Sequence, residues 1–205
     1  MIRTKKELVF YIKADYMMNR VYFKPSWFIL LRSLVFPDYI MDYLVHMRKA
    51  DYYSHQCGVK NSILANYHRM KQRKLGIKLG FSIACDVFGY GLVIPHYGTI
   101  IVGGGNKIGN YAVLHTSTCI TNGQKTIGDG LYVSTGAKLT TMEHLGNNTM
   151  IAANSVVTKS CNEDNVLLVG MPANTKKKQD AWYSRNEWYI KKVKEIESLR
   201  TVLYV

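Results

Sequence analysis

The sequence predicts a mainly β fold, a parallel β-helix of stacked triangular coils, with a helical region before it and a helix after it. The first observation is a six-residue repeat of aliphatic residues in two runs separated by one extra residue. A period of six does not fit an α-helix of 3.6 residues per turn, but it fits short strands separated by tight turns. The repeat positions are Val102, Ile108, Leu114 and Ile120, then Ile127, Val133, Leu139, Leu145, Ile151 and Val157.

The second observation is the small residue that often follows the aliphatic one. Three strands of this kind close one triangular coil, and strands of neighbouring coils pair at a spacing of about 4.8 Å. The aliphatic side chains then fill the interior in ladders, and the turn after each strand leaves little room for a side chain. The small residues are Gly109, Gly128, Ser134, Gly146 and Ala152.

Composition changes at both ends of the repeat and defines the domain boundaries. Residues 1–76 contain little glycine and show helical spacing, as at Leu8 and Ile12, so they form a helical N-terminal region. Residues 77–173 form the β-helix domain. Residues 174–205 form a basic C-terminal helix whose apolar positions are Trp182, Tyr189, Val193 and Ile196.

The formal net charge of +13 favours anionic partners, although a solvated lysine-rich surface explains it equally well. No recognition motif supports nucleic-acid binding, which is therefore not expected. The apolar stretch Trp27–Leu31 is far shorter than the roughly 20 residues that cross a bilayer. The four cysteines form no CxxC pair, so we expect a cytoplasmic protein, with peripheral association at the inner face of the membrane left open.

Three segments carry a resemblance to a known family. They are residues 93–102 (VIPHYGTIIV), Ile127–Gly130 followed by Ser134–Lys138, and the exit 169–173 (VGMPA). Over residues 77–175 the chain resembles the hexapeptide-repeat acyltransferases, in the branch of serine acetyltransferases and capsular polysaccharide O-acetyltransferases. The resemblance implies a left-handed β-helix, a homotrimer or dimer of trimers, and acetyl-CoA as the acyl donor in a groove between neighbouring subunits.

His96 matches the catalytic histidine of the family. If Val87, Val93 and Val102 share one coil, the nine-residue step between the last two implies a widened turn that carries His96. His115 follows 19 residues later, where one coil takes about 18, so both histidines are predicted at one corner. A neutral imidazole can take the proton from an acceptor hydroxyl as its oxygen attacks a thioester. We therefore predict His96 as the catalytic base, with His115 in the same site.

The predicted cofactor wall lies above the histidines, where the side chains after the inward residue are small. Thr135 and Ala153 match family positions whose backbone meets the cofactor, and Ser134 and Ala152 precede them. Lys176, Lys177 and Lys178 follow the coils; they are candidates for the 3′-phosphate of acetyl-CoA, or simply a solvated linker.

The sequence departs from the serine acetyltransferase pattern around the acceptor. Pro95 stands where that pattern has an aspartate, the short segment 122–126 lacks a histidine, and Asp86 is the nearest acidic residue that could orient His96. We therefore predict transfer to a sugar hydroxyl of a capsular or surface polysaccharide or its precursor, with Tyr97 and Tyr111 as candidate sugar contacts.

Serine O-acetyltransferase is the alternative, and a non-catalytic anion-binding β-helix ranks below it. β-Helix carbonic anhydrases hold zinc with three imidazoles, two of them a few residues apart. The sequence has no HxxxxH pair, so no metal is expected.

Overall fold

The computed structural model describes residues 2–19 and 37–203. Among the described residues, the helices that precede the strands are α1 (Lys5–Asn19), α2 (Tyr39–Ser54) and α3 (Val59–Leu79). Short strands follow, and the chain closes with a 3₁₀ turn at Trp182–Arg185 and helix α4 (Glu187–Leu203). The apolar stretch Trp27–Leu31 lies outside the described residues.

The strands form three faces of a prism. The first face contains β1 (Phe81–Ile83), β2 (Ile100–Val102), β5 (Thr118–Ile120), β8 (Lys138–Leu139) and β11 (Val156–Val157). The second contains β3 (Lys107–Ile108), β6 (Thr126–Ile127) and β9 (His144–Leu145). The third contains β4 (Val113–Leu114), β7 (Tyr132–Val133), β10 (Met150–Ile151), β12 (Val166–Gly170) and β13 (Ala173–Lys178).

The predicted fold class is confirmed: the strands form a parallel β-helix of about five turns, flanked by N-terminal helices and a C-terminal helix. Strands on each face pair in parallel with the coil above and below, except for the antiparallel pair β12–β13. Every repeat residue from Val102 to Val157 has its side chain in the core, and none is more than 3% exposed. The six-residue period therefore corresponds to the interior ladders.

At the corner between the second and third faces, the residue that follows the inward-facing aliphatic residue must be small for a specific steric reason. A Cβ added to Gly109 would lie 2.2 Å from Oδ1 of Asp129 in the next coil. That oxygen accepts a hydrogen bond from the backbone N–H of Asn110 at 2.7 Å. Asn147 occupies the same place relative to Gly128. A ladder of polar side chains thus satisfies the turn amides, and glycine makes room for it.

The structure corrects the predicted register of the first coil. Phe88, and not Val87, pairs with Ile108, while Val93 pairs with Val113 and packs outside the prism in the cluster that contains Trp182. The inward residue is Ile94. The run Leu92–Ile94 is apolar throughout, so its sequence contains no alternation that would distinguish inward from outward positions.

The N-terminal helical region also ends later than predicted, at Leu79 and not at residue 76. Gly76 lies inside α3, where an added Cβ would lie 2.5 Å from the carbonyl oxygen of Phe81. The helix ends at Gly80, which adopts the left-handed conformation with φ of 83° that glycine accommodates at helix C-termini. The glycine at position 76 therefore permits close packing of α3 on β1. None of the described helices is long and apolar enough to cross a bilayer.

A buried ion pair attaches α1 and α2 to the first coil. The guanidinium of Arg48 is fully buried and donates to both carboxylate oxygens of Asp15, at 2.7 and 3.1 Å. It also donates to the carbonyl oxygens of Phe88 at 2.7 Å and Gly89 at 2.6 Å. Asp15 in turn accepts from the backbone N–H of Leu92 at 2.9 Å. This network joins two helices to the coil that carries the widened turn.

A histidine pair joins α2 to α3. The Nδ1 atoms of His46 and His68 lie 2.8 Å apart, and the ring of Tyr53 stacks on His68 with its centroid at 5.6 Å. At this distance the pair can share one proton but cannot hold two. Burial, followed by the charge of His46 and of Lys49, lowers the pKa of His68 to about 4, and burial followed by Lys49 lowers that of His46.

We expect acid to destabilise this helix pair. Because the pKa of His68 is lower in the folded state than its ordinary value near 6.5, the unfolded chain binds more protons between about pH 6.5 and pH 4. The free energy of unfolding should therefore fall as the pH is lowered through this window. Above the window, His68 should make no difference to it. Thermal melts at pH 7.5 and pH 5 should show a smaller acid-induced drop in His68→Gln than in the wild type. An equal drop in both proteins would contradict this assignment.

Candidate active site

The candidate site lies on the edge where the third face turns into the first, formed by residues 94–99, 115–117, 134–137 and 152–155. We call it the histidine edge. Backbone hydrogen bonds hold its turns one above the other: the N–H of His115 donates to Val133, that of Ser134 to Ile151, and that of Ala152 to Leu168, at 2.9–3.1 Å. The predicted histidines and the predicted cofactor wall therefore share one edge.

His96 lies on a widened turn, as the spacing predicts. Val93 pairs with Val113 and Ile100 with Thr118, so the segment that carries His96 is two residues longer than the corresponding segment of the next coil. The side chain of His96 is exposed. It projects from the prism surface, where it is accessible to a ligand.

His115 lies in the next coil of the same edge and is half-buried. Its Nε2 is 2.7 Å from the hydroxyl oxygen of Tyr132 on β7, which leaves the other ring nitrogen available. Burial, and then the charge of His96, lower the pKa of His115 below its ordinary value. His115 is therefore neutral at neutral pH, the form that can accept a proton.

A cavity of about 290 Å³ opens beside His115. Its floor is the outer side of the third face, including Tyr132 and Met150. Its other wall comes from the C-terminal segment, which contributes Trp182, Arg185 and Tyr189. The indole N–H of Trp182 donates to the carbonyl oxygen of Tyr111 at 2.8 Å and fixes this wall on the prism.

Sequence reasoning missed Tyr132 and Arg185. Tyr132 immediately precedes the inward Val133, and outward positions of a β-helix carry no periodic signal. Arg185 belongs to a segment that the sequence indicated only as a basic helix. The available signal is the aromatic density from Trp182 to Tyr189, which the packing of a helix explains equally well.

The predicted cofactor wall is a row of small side chains on the histidine edge. Ser134 and Ala152 are half-buried, Thr135 and Ala153 are exposed, and these four side chains leave a shallow strip along the histidine edge. Lys176, Lys177 and Lys178 are exposed on β13, at the far end of the third face. Nζ of Lys178 lies 2.8 Å from a carboxylate oxygen of Glu163, so part of its charge is already neutralised.

The two predicted sugar contacts differ in accessibility. Tyr97 is 75% exposed beside His96. Tyr111 is only 4% exposed, and its hydroxyl donates to the carboxylate of Glu197. The ring of Tyr111 therefore belongs to the packing between the prism and α4 and presents no face to a ligand.

The other acidic and loop candidates lie away from His96. Asp86 is in the first coil between the first and second faces, where its carboxylate oxygen lies 3.0 Å from Nε2 of His55. The segment 122–126 joins β5 to β6 at a different edge of the same subunit. Within residues 2–19 and 37–203, no group of three or more His, Cys, Asp or Glu side chains is placed to hold a metal ion.

The prism with its edge of histidines and small residues defines the fold as that of the hexapeptide-repeat β-helix proteins. The serine acetyltransferase of Neisseria gonorrhoeae superposes with a TM-score of 0.56 at 20% identity, over 86% of this chain and 66% of that one. The enzyme from Brucella abortus strain S19 gives a TM-score of 0.56 at 19% identity, over 85% of this chain and 69% of that one.

A serine acetyltransferase in complex with CoA gives a TM-score of 0.56 at 17% identity, over 83% of this chain and 70% of that one. The chain thus spans 66% to 70% of the length of these three proteins. At these identities the likeness shows a common fold. No protein-family model matches the chain, and no curated protein sequence does.

Proposed function

We propose that this protein is an acyltransferase that moves an acetyl group from acetyl-CoA to a hydroxyl. The observation that carries the proposal is the histidine edge: two imidazoles and a strip of small side chains lie on one edge of a fold shared with serine acetyltransferases. His96 takes the hydroxyl proton, the acceptor oxygen bonds to the thioester carbon, and the carbon–sulfur bond breaks. The proton then passes to the departing thiolate, which leaves as CoA.

The acceptor is the finer part of the proposal. The sequence favours a saccharide over serine, because Pro95 and the short segment 122–126 stand where charged groups would hold an amino acid. The comparisons support serine better, since the three structures described above are all serine acetyltransferases. Arg185, which lines the same cavity as His115, is a charged group that can hold an amino acid. We therefore propose a small serine-like acceptor first and a saccharide second.

Assembly as a homotrimer or dimer of trimers is part of this proposal. Ile101, the middle residue of β2 on the first face, is 43% exposed and offers apolar surface to a neighbouring subunit. In such an assembly the shallow strip at Thr135 and Ala153 would gain its second wall from that neighbour. Light scattering of the purified protein tests the assembly, and a stable monomer would contradict it.

Acetyl-CoA and desulfo-CoA should both raise the melting temperature. A ligand that binds only the folded state stabilises it by RT ln(1 + [L]/Kd), about 2.7 kcal/mol at one hundred times Kd. Lys176→Gln combined with Lys177→Gln should weaken this shift, because two exposed cations on β13 that are candidates for the 3′-phosphate are removed.

Lys107→Gln is the matched control, since Lys107 is exposed on the second face, away from the histidine edge. It should leave the shift unchanged. Failure of millimolar cofactor to shift the wild-type melting temperature would contradict the transferase proposal. A normal shift in the double variant would remove only the phosphate role of the two lysines.

A further inference from the structure

Arg185 carries a positive charge that lacks an acidic partner in the described part of the chain. Its Nη2 donates to the thioether sulfur of Met150 at 2.7 Å, and no carboxylate among the described residues lies within 4 Å of its guanidinium. A thioether is a weak acceptor, whereas a guanidinium presents five donors in a planar fork that matches a carboxylate. The remaining donors are available to a ligand.

Arg185 lines the cavity that also contains His115. Tyr132, whose hydroxyl contacts His115, lines the same cavity, and the rise that burial causes in the pKa of Tyr132 is partly offset by the positive charge of Arg185. At about 290 Å³ the cavity is at the small end of ligand sites. One small molecule can therefore contact Arg185 and the imidazole of His115 together.

The remaining walls fit the carbon skeleton of such a molecule. Trp182 and Tyr189 supply aromatic surface on the C-terminal side, and Val113 supplies aliphatic surface on the floor. Pro95 also lines the cavity, and the adjacent residue is His96. A molecule with an anionic end at Arg185 would thus present its other end to His115 and to the segment that carries His96.

We propose that this cavity is the acceptor subsite and that Arg185 binds a carboxylate of the acceptor, so that the enzyme acetylates hydroxy-carboxylates in preference to neutral polyols. This inference rests on the proposed function and specifies its substrate class. An amino acid such as serine and a sugar acid such as a hexuronate share the required chemistry, a carboxylate and a hydroxyl on one small skeleton.

The test measures CoA release with four acceptors: L-serine, L-serinamide, glucuronate and glucose. The wild type should acetylate at least one acid with kcat/KM at least ten-fold above that of its neutral counterpart. Which acid is used distinguishes the amino acid from the sugar acid. Arg185→Gln should lose about 10- to 100-fold in kcat/KM for the acid, mainly through KM, because a charge-assisted hydrogen bond is removed. Its KM for acetyl-CoA should not change.

Two comparisons make the test specific. With the neutral counterpart, Arg185→Gln should have the same kcat/KM as the wild type, because that acceptor has no carboxylate for the guanidinium to bind. Lys194→Gln removes the same charge from an exposed position of α4 and should have no effect. Equal use of acids and neutral acceptors by the wild type, or an unchanged KM in Arg185→Gln, would overturn the inference.

Direct titration separates this inference from the proposed function. If no acceptor is acetylated, the transferase proposal fails. The inference nevertheless survives if L-serine or glucuronate binds the wild type and Lys194→Gln but not Arg185→Gln. It fails if neither acid binds, or if both variants bind as the wild type does.

Discussion

Replacing Arg48 with methionine is expected to lower the free energy of unfolding by about 3–5 kcal/mol. The substitution leaves the carboxylate of Asp15 buried without its cation, and the carbonyl oxygens of Phe88 and Gly89 lose their donors. A buried charge without a partner costs far more than the pair contributes, since desolvation is no longer offset. Urea denaturation followed by circular dichroism measures the loss.

Arg73→Met is the matched control, because Arg73 is exposed on α3 and should change stability by less than about 0.5 kcal/mol. The double variant Asp15→Leu with Arg48→Met should recover part of the loss by removing both charges together. An Arg48→Met protein as stable as Arg73→Met would show that the helices do not depend on this ion pair for their attachment to the first coil.

His96→Ala is expected to reduce acetyl transfer by roughly 100- to 10,000-fold, because a hydroxyl is a poor nucleophile until a base takes its proton. Affinity for acetyl-CoA should survive, since His96 is exposed on the widened turn and the cofactor wall lies in other coils. Steady-state kinetics and the thermal shift with acetyl-CoA measure the two effects separately.

His144→Ala is the control, as His144 is also exposed but lies on the second face. It should retain full activity. Undiminished transfer by His96→Ala would move the catalytic base to His115, whose lowered pKa keeps it neutral at pH 7.

The interior of the β-helix could be predicted from sequence because its packing is local and periodic. Each inward residue from Val102 to Val157 meets the residue one coil away, so a simple count locates the ladder. The same count brought His96 and His115 to one edge, although they belong to different coils. It failed at Val93, where three consecutive apolar residues left the register undetermined.

The remaining features depend on contacts between residues far apart in sequence. Asp15 and Arg48 are 33 residues apart, and their partners at Phe88 and Gly89 lie about 40 residues further along. The cavity combines Tyr132 of the prism with Arg185 of the C-terminal segment, which the hydrogen bond from Trp182 to Tyr111 helps to hold against the prism. Because no repeat relates residues so far apart, the sequence does not predict that Arg185 shares a cavity with His115.

The most direct test of the account is acceptor-dependent release of CoA from acetyl-CoA by the purified wild-type protein. We expect release that requires a hydroxyl acceptor, with one acetylated product formed for each thiol released, and with L-serine used in preference to neutral saccharides. A protein that binds acetyl-CoA but releases no thiol with any hydroxyl acceptor would contradict the assignment of the histidine edge as an acetyl-transfer site.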